Sequence, residues 1–333
     1  MNDVRRTPHR RRSTVALLLL APLVGEFLLG NTPISDFGSL FMYLPLYGCG
    51  ALLVRESARH TGRGWPTMLL LGAAYGLFEE GPVDQMLWNP DYGGVPFGLV
   101  YAGTQVPLLG TSVALLQDVV SMHMVWSVCV PIALVEAFSR DPRRPWLGRP
   151  GLGVTAVVFA LGSFGLAALQ YAYNDEFMAS PWQWTVAVVL IAALVAAAFL
   201  VDRVPLPRPL VRAAEAPTPW WTGCAAFALT SAYWGGQSLL RDHVSDWLVV
   251  VFWFLLAAAA VTLGIRWSHG PAWGATHRVS VAVGALLTYV WVGFTHASDM
   301  GVPLRVALVG NVVLGAGALV LAAAAVRSVH RDR

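Results

Sequence analysis

The stretch YGLFEEGPVDQ at residues 75–85 sets two adjacent glutamates, Glu79 and Glu80, at the end of an apolar run. Neighbouring side chains on a helix point about 100° apart, so at least one of the pair faces whatever packs against that helix. Two carboxylates this close repel, and the repulsion is relieved by sharing a proton or recruiting a cation. Either outcome suits a general base or a metal site. Gly81 and Pro82 follow at once, a combination that ends or kinks a helix and frees carbonyls nearby. A later apolar run carries His123, with Trp126 three residues on and expected to flank the ring, and Asp118 five residues earlier and pointing elsewhere. Far downstream, His296 and Asp299 are spaced i, i+3, so they share one helical face and can hold a metal or orient an imidazole. Glu79, Glu80, His123 and His296 are thus the candidate catalytic residues, and a divalent metal such as zinc is a candidate cofactor.

The elements that must position these residues are membrane helices. Of the 333 residues, 56% are hydrophobic and only 12% charged, with a mean hydropathy of +0.59, outside the range of soluble globular domains. Ten apolar runs are long enough to cross a hydrocarbon core about 30 Å thick. They lie near 14–31, 36–54, 65–83, 111–137, 152–173, 182–201, 219–240, 247–265, 279–298 and 303–326. Lipid cannot satisfy exposed backbone N–H and C=O groups, so each run must be a helix. The fold class is therefore an all-α polytopic transmembrane bundle of about ten helices. All 22 basic residues are arginine, and alternating sides from a cytoplasmic amino terminus puts 20 of them on the cytoplasmic face, with both termini inside.

Residues 1–333 read as a single membrane domain with a basic cytoplasmic tail at 1–13, an outer loop at 84–110 and a Pro- and Arg-rich cytoplasmic linker at 202–218 between helices 6 and 7. The outer loop lacks Lys and Arg but is rich in aromatic residues and proline, as expected of a segment lying at the headgroup level and capping helices 3 and 4. Glu26 interrupts the first run, and an uncleaved first helix is expected there rather than a signal peptide. Glu136 is expected at the cytoplasmic surface near Arg140, Arg143 and Arg144, and Asn311 is expected to bond a neighbouring helix. Cys49, Cys129 and Cys224 show no CxxC spacing and are read as packing residues. The arginines are spread through short juxtamembrane loops, which argues against nucleic-acid binding. Absence of lysine beside abundant Ala, Gly and Arg fits a high-GC coding sequence and a bacterial plasma membrane.

A Glu-Glu pair closing one helix, a histidine in the next and HxxD far downstream resemble the CAAX-processing and ABI intramembrane protease superfamily. Its members carry EExxxR, then FxxxH, then HxxxN or HxxxD. The resemblance covers mainly residues 72–137 and implies that Glu79 and Glu80 match the two glutamates, His123 the histidine of the second motif and His296, more loosely, that of the third. In that family such residues activate water, with or without a metal. This chain has Asp84 at the arginine position, Val119 at the phenylalanine position, and Asp299 three rather than four residues after His296. The same window is also similar to an uncharacterised group of prokaryotic multi-helix membrane proteins.

Three functions follow as expectations. In a membrane-embedded hydrolase acting on a membrane peptide, Glu79 or Glu80 serves as general base for a water, His123 orients it, and His296 assists or binds metal. In a small secondary transporter the same carboxylates bind protons or a cationic solute. In a scaffold the polar residues tie helices together within the lipid bilayer.

Overall fold

A computed structural model of the chain describes residues 7–94, 102–203, 215–240 and 243–331, without the side chains at 7–9, 94, 102, 298 and 299. Ten helical rods run through the described residues, and the expected all-α bundle is what is seen. The first, α1, is Thr7–Pro22 prolonged by a π-helical turn at Leu23–Leu28, so it begins within the basic amino-terminal segment. Helix α2 spans Ile34–His60 and includes a π-helical turn at Leu44–Gly48. Helix α3 is Trp65–Phe78 followed by the π-helical Glu79–Val83. Helix α4 spans Val113–Glu136 with a π-helical centre at His123–Cys129. The remainder are α5 (Arg149–Tyr173), α6 (Pro181–Leu200), α7 (Pro219–Leu240), α8 (Asp246–Ser268), α9 (Ala275–Asp299) and α10 (Leu304–Arg331). Among the described residues, seven helices are long and apolar enough to cross a membrane; α1, α3 and α7 are not among them.

Local sequence sets several boundaries. Proline near the first helical position starts α3, α5, α6 and α7, where its missing N–H costs nothing. Ser180 and Gln183 form a reciprocal capping box on α6, and Ser112 caps α4 through the Leu115 N–H. Gly30, at φ +95°, turns the chain after α1 with no room beside Ala297 for a side chain.

Helix α4 lies at the centre: 78% of its membrane-crossing stretch is buried, against 11% for α5 and α6 and 6% for α8. Packed on it are α1, α2 and α3 on one side and α8 and α9 on the other, with α7 and α10 against α9. Peripheral helices turn residues such as Phe164, Leu161 and Val320 outward, the surface expected to meet lipid. The loop expected on the outer side, residues 84–110, lies only partly within the described residues. It contains a two-stranded hairpin, Gln105–Val106 with Thr111–Ser112, and Trp88 packs against Trp184 of α6. Of the cytoplasmic linker expected at 202–218, residues 204–214 lie outside the described residues. Cys49 and Cys129 are free and buried, as packing residues should be.

Candidate functional site

Glu79, Glu80 and His123 meet. His123 Nε2 lies 2.7 Å from Glu80 Oε1, and Nδ1 lies 3.0 Å from Glu79 Oε2. The Glu79 oxygen is out of line for a hydrogen bond, and Nδ1 instead bonds Ser127 Oγ at 3.1 Å, one turn along the same helix. With Nε2–H donating to Glu80, Nδ1 accepts from Ser127; a doubly protonated ring donates to both sides. Close approach of α3 to α4 depends on Gly76, where an added Cβ would stand 2.9 Å from His123 Cβ.

Two further helices complete the cluster, and the sequence reading did not join them to it. Glu26 of α1 accepts a 2.5 Å bond from the Tyr47 hydroxyl of α2 and a 3.4 Å bond from Thr32 Oγ1. Tyr47 also faces Glu79, and its ring centroid is 5.8 Å from that of His123. Tyr75 closes the other side, with its ring 6.0 Å from His123 and its hydroxyl beside Glu79. The signal for Glu26 was present, a lone acid in an apolar run, but nothing local links it to residues 50 to 100 positions away.

Relative exposure is 1% for Glu79, 7% for Glu80, 3% for His123 and 8% for Glu26, so bulk solvent is excluded from all four. Three carboxyl groups and one imidazole cannot all hold full charge in such a place, because burying unpaired charge is prohibitive. Glu79 Oε2, Glu80 Oε2 and the Tyr75 hydroxyl are buried without a well-formed hydrogen bond, the places where an additional proton is accommodated.

Each of these residues except Tyr75 and Thr32 sits in a π-helical turn: Glu26 in Leu23–Leu28, Tyr47 in Leu44–Gly48, the glutamate pair in Glu79–Val83, and His123 with Ser127 in His123–Cys129. Such turns widen the helix and collect at functional positions. The wide turn also explains why Trp126 does not flank His123. It is rotated toward α9, where its Nε1 donates to Ala285 O at 2.8 Å and its ring stacks on Tyr289 at 4.4 Å.

Just beyond the cluster, Asp84 turns its carboxyl inward. Loss of solvent, and next the nearby charge of Glu80, hold that carboxyl well above the usual range. Its Oδ2 accepts from the Tyr92 hydroxyl at 3.1 Å, and Gln170 Nε2 donates to that hydroxyl at 2.5 Å.

The other expected members lie elsewhere. His296 is held by Asn31 Oδ1 at 2.6 Å and by the edge of Trp234, at the turn between α1 and α2, and the side chain of Asp299 lies outside the described residues. Asp118 points away from His123 as expected and accepts bonds from the Tyr233 hydroxyl and, at 2.5 Å, Gln237 Nε2. Glu136 is buried instead of lying at the surface with Arg140, Arg143 and Arg144: Arg55 Nε reaches it at 2.9 Å and Arg59 Nη2 at 2.8 Å. Asn311 bonds Gly293 O of α9 at 2.6 Å, the interhelical role expected for it.

A divalent metal does not fit this donor set. Both imidazole nitrogens are engaged, and among the described residues no three His, Cys, Asp or Glu side chains are arranged to hold a metal ion. What the arrangement can do is take up and release protons at an imidazole flanked by two carboxyl groups.

No curated protein and no solved structure matches the chain. One family model does, over residues 15–331, and its description carries neither an activity nor the protease resemblance. The chain therefore belongs to that uncharacterised membrane protein family, as a polytopic helical member.

Proposed function

We propose that the protein is a small proton-linked membrane carrier whose working centre is His123 between Glu79 and Glu80. The observation carrying this reading is the imidazole held 2.7 and 3.0 Å from two buried carboxyl groups, each with an oxygen left without a hydrogen bond. A centre of this kind changes charge when one proton arrives, and a buried change of charge is what moves helices past one another in a carrier. The π-helical turns supply the place to give, since each is a local defect in the regular ladder. Hydrolysis asks for more: a carbonyl about 3 Å from the base and donors aimed at its oxyanion. Here Tyr47, Tyr75 and Gly76 close around the histidine, and His296 is held elsewhere.

The test uses the full chain in liposomes with a trapped pH indicator, challenged with sodium, potassium and small alkylamines under an imposed pH gradient. At least one cation moves protons in exchange, and Glu80→Gln and His123→Gln abolish the exchange. Failure of every probe with well-folded protein refutes the carrier. A second reading, an intramembrane hydrolase acting on membrane peptides, is favoured by one observation: Glu80, His123 and Ser127 form a carboxyl–imidazole–hydroxyl line of 2.7 and 3.1 Å, the order used to activate a serine. Cleavage of a fluorogenic membrane peptide, lost in Ser127→Ala, would establish it instead.

A further inference from the structure

Resting on the carrier reading, we propose that protons reach this centre from the outer side along one built path: Tyr43, Thr32, Glu26, Tyr47 and then Glu79. Partly buried Tyr43 lies with its hydroxyl 3.1 Å from Thr32 Oγ1. Thr32 donates to Glu26 Oε2 at 3.4 Å, and Tyr47 donates to Glu26 Oε1 at 2.5 Å while facing Glu79. Every member is a hydroxyl or a carboxyl group, able both to give and to accept a proton, which a relay requires. Thr32 has a single proton and donates it to Glu26, so Tyr43 is the donor to Thr32 and the bonds on that side all point inward.

The steps balance. Tyr43 passes its proton to Thr32 as it takes one from outside, and Thr32 passes its own to the Glu26 carboxylate, leaving neutral hydroxyls and a carboxylic acid. The Glu26 carboxyl then turns about its Cγ–Cδ bond to bring that proton from the Thr32 side to the Tyr47 oxygen, as the Tyr47 hydroxyl, turned from Glu26 to Glu79, releases its own. Glu26 ends as carboxylate and Glu79 as acid, one proton having moved with no other reactant. The backbone holds the entrance in place, since Glu26 O accepts the N–H groups of both Gly30 (3.2 Å) and Thr32 (3.3 Å). On the far side of the centre, Asp84 accepts from Tyr92, and the Gln170 amide that donates to Tyr92 cannot pass a proton on by a simple hop.

The charged and titratable groups facing this path are Asp36, at the turn entering α2, and Tyr289 of α9, together with Tyr75, Glu80, Asp84 and His123 around its inner end. None of them bridges two members of the path among the hydrogen bonds described.

The experiment is a light-triggered pH jump on the full chain in lipid nanodiscs, followed by the infrared carboxylic-acid band. The part of that band lost in Glu79→Gln/Glu80→Gln reports the centre. Thr32→Val and Tyr47→Phe are expected to slow its protonation by about tenfold or more, as loss of one link implies, while its final amplitude is kept. Thr32→Ser, which restores a hydroxyl, returns the fast rate, and Tyr92→Phe leaves it unchanged. Unslowed rates in both Thr32→Val and Tyr47→Phe, or slowing in Tyr92→Phe alone, overturn the path and leave the centre standing. Absence of any pH-dependent amplitude in the unmodified protein overturns the carrier reading and the path with it.

Discussion

Replacing Arg55 with methionine tests the reasoning about buried charge where the magnitudes are largest. The Arg55 side chain is fully buried, and four of its five N–H donors are engaged: Nε to Glu136 at 2.9 Å, one of Nη1 to Glu56, and both of Nη2 to the carbonyls of Pro142 (2.9 Å) and Arg144 (3.1 Å). Its plane also lies 3.3 Å from the Trp146 ring centroid. Breaking a buried pair from one side costs about 3–5 kcal/mol, because the partner is left uncompensated. Here the cost falls at the lower end, about 3 kcal/mol, since Glu136 keeps Arg59 and Glu56 keeps the N–H groups of Trp146 and Leu147. Arg59→Met, which leaves Arg55 on Glu136 and does not disturb Glu56, costs about 1.5 kcal/mol, the lower end for hydrogen bonds to a charged group. Thermal melting of detergent-purified protein ranks the two, and trypsin reads the loop that Arg55 pins. Cleavage at Arg140, Arg143 or Arg144 rises by about two orders of magnitude in Arg55→Met, following the larger open population. Equal stability of the two variants, with an unchanged cleavage rate, would refute the account.

Other outcomes follow from the same contacts. Gly76→Ala drives a methyl into His123 Cβ and costs about 1–3 kcal/mol; a melting temperature equal to that of the parent contradicts the close approach. Tyr233→Phe takes one donor from Asp118, leaves Gln237 as a partner and costs about 1–3 kcal/mol, measured by the same melting assay. Asp84, whose carboxyl is held above the usual range, binds its proton more tightly folded than unfolded, so its contribution is fully present below about pH 4 and is lost as pH rises through the raised value. Asp84→Asn therefore flattens the decline of melting temperature with rising pH; an unaltered slope rules that assignment out.

The ten helices were legible as apolar runs, seven of them long and apolar enough to cross a membrane among the described residues, and the meeting of Glu79, Glu80 and His123 followed from α3 and α4 being consecutive. What escaped depends on distance along the chain or on a break in helical regularity. Glu26 and Tyr47 join the cluster from α1 and α2, and no spacing rule connects them to α3. Trp126 was placed beside His123 by α-helical spacing, which the π-helical turn at His123–Cys129 does not obey. Glu136 was assigned to arginines four to eight positions on, whereas its partners lie 77 and 81 residues back, on α2. His296 is suggested for the site by its i, i+3 spacing with Asp299 and by motif order, and Asn31 holds it instead.

The polarity of α3 has a consequence for how the chain is made. With two glutamates near its end, α3 is not among the helices apolar enough to cross a membrane by themselves. Ionised groups cost roughly 2.5–3.5 kcal/mol each at a helix centre, and less toward its ends. The histidine that answers Glu80 is synthesised 43 residues later, on the most enclosed helix of the bundle. A nascent chain that has emerged only as far as α3 thus has no partner to offer those acids, so α3 waits at the translocon or the membrane surface and enters the bilayer with α4 as a hairpin.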